Sequence, residues 1–131
     1  MGAYNWVTIF GRCPNCGDAE IRCQTHTAAD YGGEAASSDA ESTSPVRFHD
    51  REYRLLEVMA WWRPDDRRFE SWRAGTTLEA PQDAECEDEA CYATCNGCFE
   101  ELCVVLRFRA LVPTEVVSVH REHEWPFNHL R

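Results

Sequence analysis

The chain predicts a mainly β fold with a small α content, built as one antiparallel sheet. Three observations carry this reading. Residues 19–27 alternate strictly, with Ala19, Ile21, Cys23 and Thr25 on one face and Glu20, Arg22, Gln24 and His26 on the other. Residues 99–111 alternate again, with Leu102, Val104, Leu106, Phe108 and Ala110 on one face and Cys103, Val105, Arg107 and Arg109 on the other. Two C-x-x-C steps, Cys13-Pro14-Asn15-Cys16 and Cys95-Asn96-Gly97-Cys98, each demand a tight turn next to a strand-like run. At 131 residues the chain reads as a single domain, 1–131, large enough for a modest core.

The remaining elements follow in order. Residues 4–10 are aromatic and β-branched, a strand entering the first step. Residues 28–45 shift to Ala, Ser, Gly, Asp and Glu and predict a flexible loop. Residues 48–55 suit a strand. Leu55, Met59 and Trp62 then stand at helical spacing, which predicts two helical turns ending before Pro64. Residues 76–90 are acidic and turn-rich, a second loop. After the strand of 99–111, Val112-Pro113-Thr114 predicts a turn. Residues 115–121 return as a strand, with Val117 and Val119 inward, or Val116 in the opposite register.

A C-x-x-C step brings two sulfurs to one side of a turn. Pro14 presets that turn, and Gly17 supplies the positive φ by which the chain leaves it. Two such steps offer four soft ligands, the set that tetrahedral Zn²⁺ takes. Cys13, Cys16, Cys95 and Cys98 are therefore the candidate ligands of one structural zinc. The pattern resembles a zinc ribbon, in which two knuckles at β-hairpin tips clamp one metal. Cys13-Pro14-Asn15-Cys16-Gly17 matches the family's first knuckle. The second departs from it, because Phe99 stands where a glycine is usual. The 78 residues between Cys16 and Cys95 form a long insertion between the knuckles. The resemblance covers about a third of the chain. It implies a zinc-ribbon-like domain with a structural metal and says little about activity.

Composition sets further bounds. The formal charge is −10, and all thirteen basic side chains other than histidine are arginine. Residues 76–103 hold eight acids and no base, whereas residues 46–75 hold seven arginines against six acids. That sign argues against a nucleic-acid partner, whose phosphates need cations. No run approaches a membrane span, and no apolar stretch near the start suggests a signal peptide. The chain reads as cytoplasmic, where eight cysteines favour metal over disulfides.

Other constellations are weaker. Cys91-x3-Cys95-x2-Cys98 has the spacing of a [4Fe–4S] motif in radical enzymes that use S-adenosylmethionine, but that class would leave Cys13 and Cys16 without a role. Cys86, Cys91 and Cys103 have no assigned role, and Cys23 suits a small buried hydrophobe. His120, His123 and His129 suit a solvated tail better than a metal site. No hydrolase, P-loop, dinucleotide or zinc-protease signature is present, and four thiolates leave zinc no open position for water. The expectation is a non-catalytic zinc-binding protein that acts as a protein-interaction module. One alternative is an acidic inhibitor or immunity-type protein neutralising a basic toxin, and another is an iron–sulfur or thiol redox protein. Two surfaces suit a protein partner. Glu85, Glu87, Asp88 and Glu89 would steer a basic one. Trp61, Trp62, Arg67 and Arg68 form an arginine–aromatic block, which also suits core tryptophans with arginines along their edges.

Overall fold

The computed structural model describes residues 4–29, 49–62, 65–76 and 88–124. The fold is mainly β: β1 (Asn5–Cys13), β2 (Gly17–Thr25), β3 (Glu52–Arg54), α1 (Phe69–Arg73), β4 (Asp88–Cys95), β5 (Glu101–Arg109) and β6 (Val112–Arg121), then a short 3-10 turn at Glu122–Glu124. The six strands form one sheet in the order β3-β1-β2-β4-β5-β6. All neighbours are antiparallel except β1 and β3, which run parallel, so the sheet is mixed rather than purely antiparallel.

The sheet curls until its ends meet. Past β3, the Leu56 N–H bonds the Pro113 carbonyl at 2.7 Å and the Met59 N–H bonds that of Leu111 at 2.8 Å. At the other end of the same seam, β1 lies against β6 at Gly11. A Cβ on Gly11 would sit 3.3 Å from Ile9 Cδ1 and 3.9 Å from Val119 Cγ2, so the missing side chain leaves room for this packing. Inside the curl lie Val7, Ile9, Ile21, Cys23, Ala93, Leu102, Val104, Leu106 and Phe108, alternate residues of four strands. The expected inward faces of residues 19–27 and 99–111 are thus present. The opposite face of β5 is less polar in its surroundings than expected, because Cys103 and Val105 are buried as well.

Several expectations need correction. Residues 55–62 are not helical. The N–H groups of Leu56 and Met59 go to Pro113 in β6 and to Leu111 just before it, and Leu56 takes a φ of +73°, which breaks a helix. Met59, Ala60 and Trp62 are buried by this path, and Tyr53 Oη accepts the Ala60 N–H at 2.8 Å. The only α-helix among the described residues is α1, where Phe69 packs on Trp72 with ring centroids 5.2 Å apart. It is too short for its period to show. The predicted strand of residues 48–55 shrinks to Glu52–Arg54. The turn falls at Ala110 and Leu111, with Ala110 at φ +55°, and Pro113 lies within β6. A register shift between Val105 and Leu106 pairs them with Ser118 and Val116. This bulge turns Val116 and Val119 both toward the core and leaves Val117 43% exposed, so each proposed register holds for part of the strand. The flexible-loop expectation for residues 28–45 falls almost wholly outside the described residues. For residues 76–90, the last three begin β4 instead of ending a loop.

The start of β4 is pinned. The Glu89 carboxylate accepts the Thr25 hydroxyl, the His26 N–H at 2.8 Å and the Thr27 hydroxyl at 3.0 Å. Thr25 and Thr27 are buried, so this carboxylate satisfies polar groups that water does not reach. Asp88 pairs with Arg107 at 2.9 Å, and Arg107 also reaches Glu115 at 2.7 Å. These surface pairs tie β4, β5 and β6 together but are worth little individually. Replacing Glu89 by alanine should lower unfolding stability by about 2–3 kcal/mol, the scale of hydrogen bonds to a charged acceptor. Glu115→Ala should cost under about 1 kcal/mol. Urea unfolding checks both, and equal midpoints for the two variants would contradict the assignment.

Candidate metal centre

The knuckles are the tips of two hairpins. The first joins β1 to β2 with Cys13 paired to Gly17, and the second joins β4 to β5. Pairing of β2 with β4 places Ile21 opposite Cys95, and the Asn96 N–H bonds the Glu20 carbonyl at 2.8 Å. Both tips therefore project from the same end of the sheet. The Arg121 guanidinium donates to the Pro14 carbonyl at 3.1 Å and holds the first tip to β6.

Here the four predicted ligands converge. The sulfurs of Cys13, Cys16, Cys95 and Cys98 all lie within 4.8 Å of one another. Across the knuckles, Cys13 Sγ is 3.7 Å from Cys98 Sγ and Cys16 Sγ is 3.5 Å from Cys95 Sγ. A tetrahedron with metal–sulfur bonds of about 2.3 Å has edges of about 3.8 Å. The spacing thus suits a metal and is far too long for disulfides, whose S–S bond is about 2.05 Å. All four cysteines are free thiols. Cys13 and Cys95, the first of each step, are buried. Cys98 is half-buried and Cys16 is exposed.

The turns around the sulfurs are near copies. The Asn15 N–H points at Cys13 Sγ and the Gly97 N–H at Cys95 Sγ, each at 3.3 Å. Each chain leaves its knuckle through a left-handed residue: Gly17 at φ +92° and Phe99 at φ +64°. The departure at Phe99 is thus accommodated in the backbone a glycine would adopt, at a conformational cost. Its ring is 75% exposed and does not clash.

Hydrogen bonds divide the thiols. The Asn15 side-chain amide donates to Cys98 Sγ at 3.2 Å, and with the Glu100 N–H it brings the Cys98 thiol down to about 7. Cys16, by contrast, is pushed up to about 12, first by its hydrogen bond with Cys95. A metal takes the place of such protons when it binds. Asn15 and Glu100 were not anticipated from the sequence. The only available hint was an amide side chain inside the C-x-x-C step.

The other cysteines and histidines lie elsewhere. Cys91 shares the inward face of β4 with Cys95 but is four residues up the strand, about 13 Å away. It donates instead toward the Glu89 carbonyl at 3.7 Å, and the three-cysteine iron–sulfur spacing does not converge. Cys23 and Cys103 are buried, and burial first of all pushes the Cys23 thiol well above its ordinary range. His120 bonds Ser118 Oγ at 2.7 Å, and His123 lies 4.0 Å from Glu124. Among the described residues, neither joins a metal-ligating group. Cys86 and His129 lie outside the described residues.

Of the residues expected to face a partner, several make contacts within the fold. Asp88 and Glu89 make the bonds given above, and Glu85 and Glu87 lie outside the described residues. Trp62 is 6% exposed, and the Arg68 guanidinium stacks on its ring at 3.7 Å while Asp66 holds that guanidinium at 2.9 Å. The two Arg68 hydrogen bonds, side chain first, hold the Asp66 carboxyl down at about 2. Trp61 packs half-buried against the core, and Arg67 is exposed. No helix among the described residues is long and apolar enough to cross a membrane.

Comparison with family models, with curated proteins and with solved structures returns no match.

The matched turns give a paired test. Phe99→Gly should raise stability by about 0.5–1 kcal/mol. That is the left-handed cost of about 1–2 kcal/mol, less the greater freedom glycine has in the unfolded chain. Gly17→Phe should lower stability by a similar amount. Thermal melts of both variants decide this, and a destabilised Phe99→Gly would mean that the exposed ring contributes packing.

Proposed function

We propose that this chain is a non-catalytic, zinc-stabilised protein-interaction module. One Zn²⁺ would be held by Cys13, Cys16, Cys95 and Cys98. The observation that carries the reading is the convergence of four sulfurs at near-tetrahedral spacing from two hairpin tips. A thiolate set of this kind suits zinc. With all four positions filled by protein, no site is left for a substrate or water, which supports a structural role. The ion would link segments separated by 78 residues, so its binding energy, on the order of 10 kcal/mol, would act as folding energy.

The interaction role rests on what stays exposed. Among the described residues the most exposed large apolar side chains are Phe99 on the second knuckle at 75% and Phe10 and Leu56 at 72% each, and the last two lie away from the cysteine cluster. Phe10 lies on β1, and Leu56 lies in the turn that follows β3, where its N–H bonds the Pro113 carbonyl. The flanking charges are paired with each other, Arg54 with Glu20 and Arg12 with Asp18. These two exposed apolar side chains are the proposed contact patch, and the paired charges near them suit a protein contact.

Purified protein should carry one equivalent of zinc and show no visible absorbance. The double substitution Phe10→Ser with Leu56→Ser should keep that zinc and lose the protein that the wild type retains from its native host. Iron with visible colour would move the reading to the redox alternative, and metal-free protein would overturn the cage. Undiminished retention by the double variant would overturn the patch.

A further inference from the structure

The four cage sulfurs differ in support. Cys13 and Cys95 each accept a backbone N–H, and Cys98 accepts the Asn15 amide. Among the described residues, Cys16 Sγ accepts no N–H donor at all, and its close partner is Cys95 Sγ at 3.5 Å. An N–H donor draws charge from a thiolate and blunts it as a nucleophile. Cys16 is also the exposed member of the set, while Cys95 behind it is fully buried. Electron density and access thus point to the same sulfur.

We propose that Cys16 is the reactive thiolate of the cage, the site at which a peroxide oxidises it, with Cys95 as the resolving thiol. The proposal rests on the metal reading above, because the metal keeps Cys16 deprotonated. The Cys16 thiolate attacks one peroxide oxygen. The S–O bond forms, the O–O bond breaks, and hydroxide leaves. The sulfur is oxidised by two electrons to a sulfenic acid, and the peroxide is reduced. The Cys95 thiolate then attacks the Cys16 sulfur, forming S–S and expelling the second hydroxide. In sum, two thiolates, one hydrogen peroxide and two protons give one disulfide and two waters. Only Cys13 and Cys98 would then remain to hold a metal, too few to retain it. The new bond joins the same two hairpins that the metal joined, so the knuckles stay clamped, and a thiol reductant restores the cage.

The competing pairs are less suited. Cys13 and Cys98 are 3.7 Å apart, but both carry N–H donors and Cys13 is buried. A Cys13–Cys16 bond would leave the hairpins unlinked.

The test uses the full chain after its zinc content has been measured. Sub-stoichiometric hydrogen peroxide is added with a chromophoric zinc chelator, free thiols are blocked, and peptides are mapped by mass spectrometry. A Cys16–Cys95 cross-link should be the first product, with one zinc released per disulfide. In a separate pulse of iodoacetamide, Cys16 should be alkylated at least about tenfold faster than Cys98, the factor that one hydrogen bond to a charged acceptor represents. Asn15→Ala should raise the Cys98 rate and leave the Cys16 rate unchanged. A first product of Cys13–Cys16 or Cys13–Cys98, or equal labelling of Cys16 and Cys98 in the wild type, overturns the proposal. Protein that takes up no zinc overturns the metal reading, and this proposal with it.

Discussion

Pairing of β2 with β4 is the constraint on which the rest of the structure depends. It sets Ile21 opposite Cys95, and so fixes how far the second hairpin extends beside the first. Side chains in a strand alternate, and a slip of one residue would turn Cys95 to the outer face and carry Cys91 and Ala93 out of the core with it. Three features hold the register. Apolar residues on both strands face one core, the Asn96 N–H closes on the Glu20 carbonyl, and Glu89 grips the end of β2. The clustering of four sulfurs follows from this alignment.

The same logic explains which parts were legible in the sequence. The knuckles and the flanking strands β1, β2 and β5 could be read because each is governed by local rules. Alternation shows which face is inward, and the proline, glycine and cysteine spacing shows the turn. What could not be read depends on distant partners. Leu55, Met59 and Trp62 have helical spacing, yet the backbone there bonds to Leu111, just before β6, and Pro113 within it, more than fifty residues on. The bulge in β6 defeats any single register for Val116, Val117 and Val119, because alternation presumes an uninterrupted ladder. β4 was hidden because Asp88 and Glu89 read as the end of an acidic run, although β5 and β2 supply their partners.

The charged residues show how composition differs from use. A net charge of −10 invites the idea of an acidic docking face. Within the fold, Asp88 meets Arg107 and Glu89 turns toward buried hydroxyls. Arg68 lies flat on Trp62, so part of the arginine–aromatic block serves packing. The polar groups of the knuckles are likewise turned inward: amides from Asn15 and Gly97 are aimed at sulfur, which suits an anionic thiolate more than a neutral thiol.

If four cysteine sulfurs from two hairpins share one zinc, X-ray absorption at the zinc edge of the purified protein will show a single shell of four sulfur scatterers at about 2.3 Å. A shell that includes nitrogen or oxygen at about 2.0–2.1 Å, or fewer than four sulfurs, would contradict it.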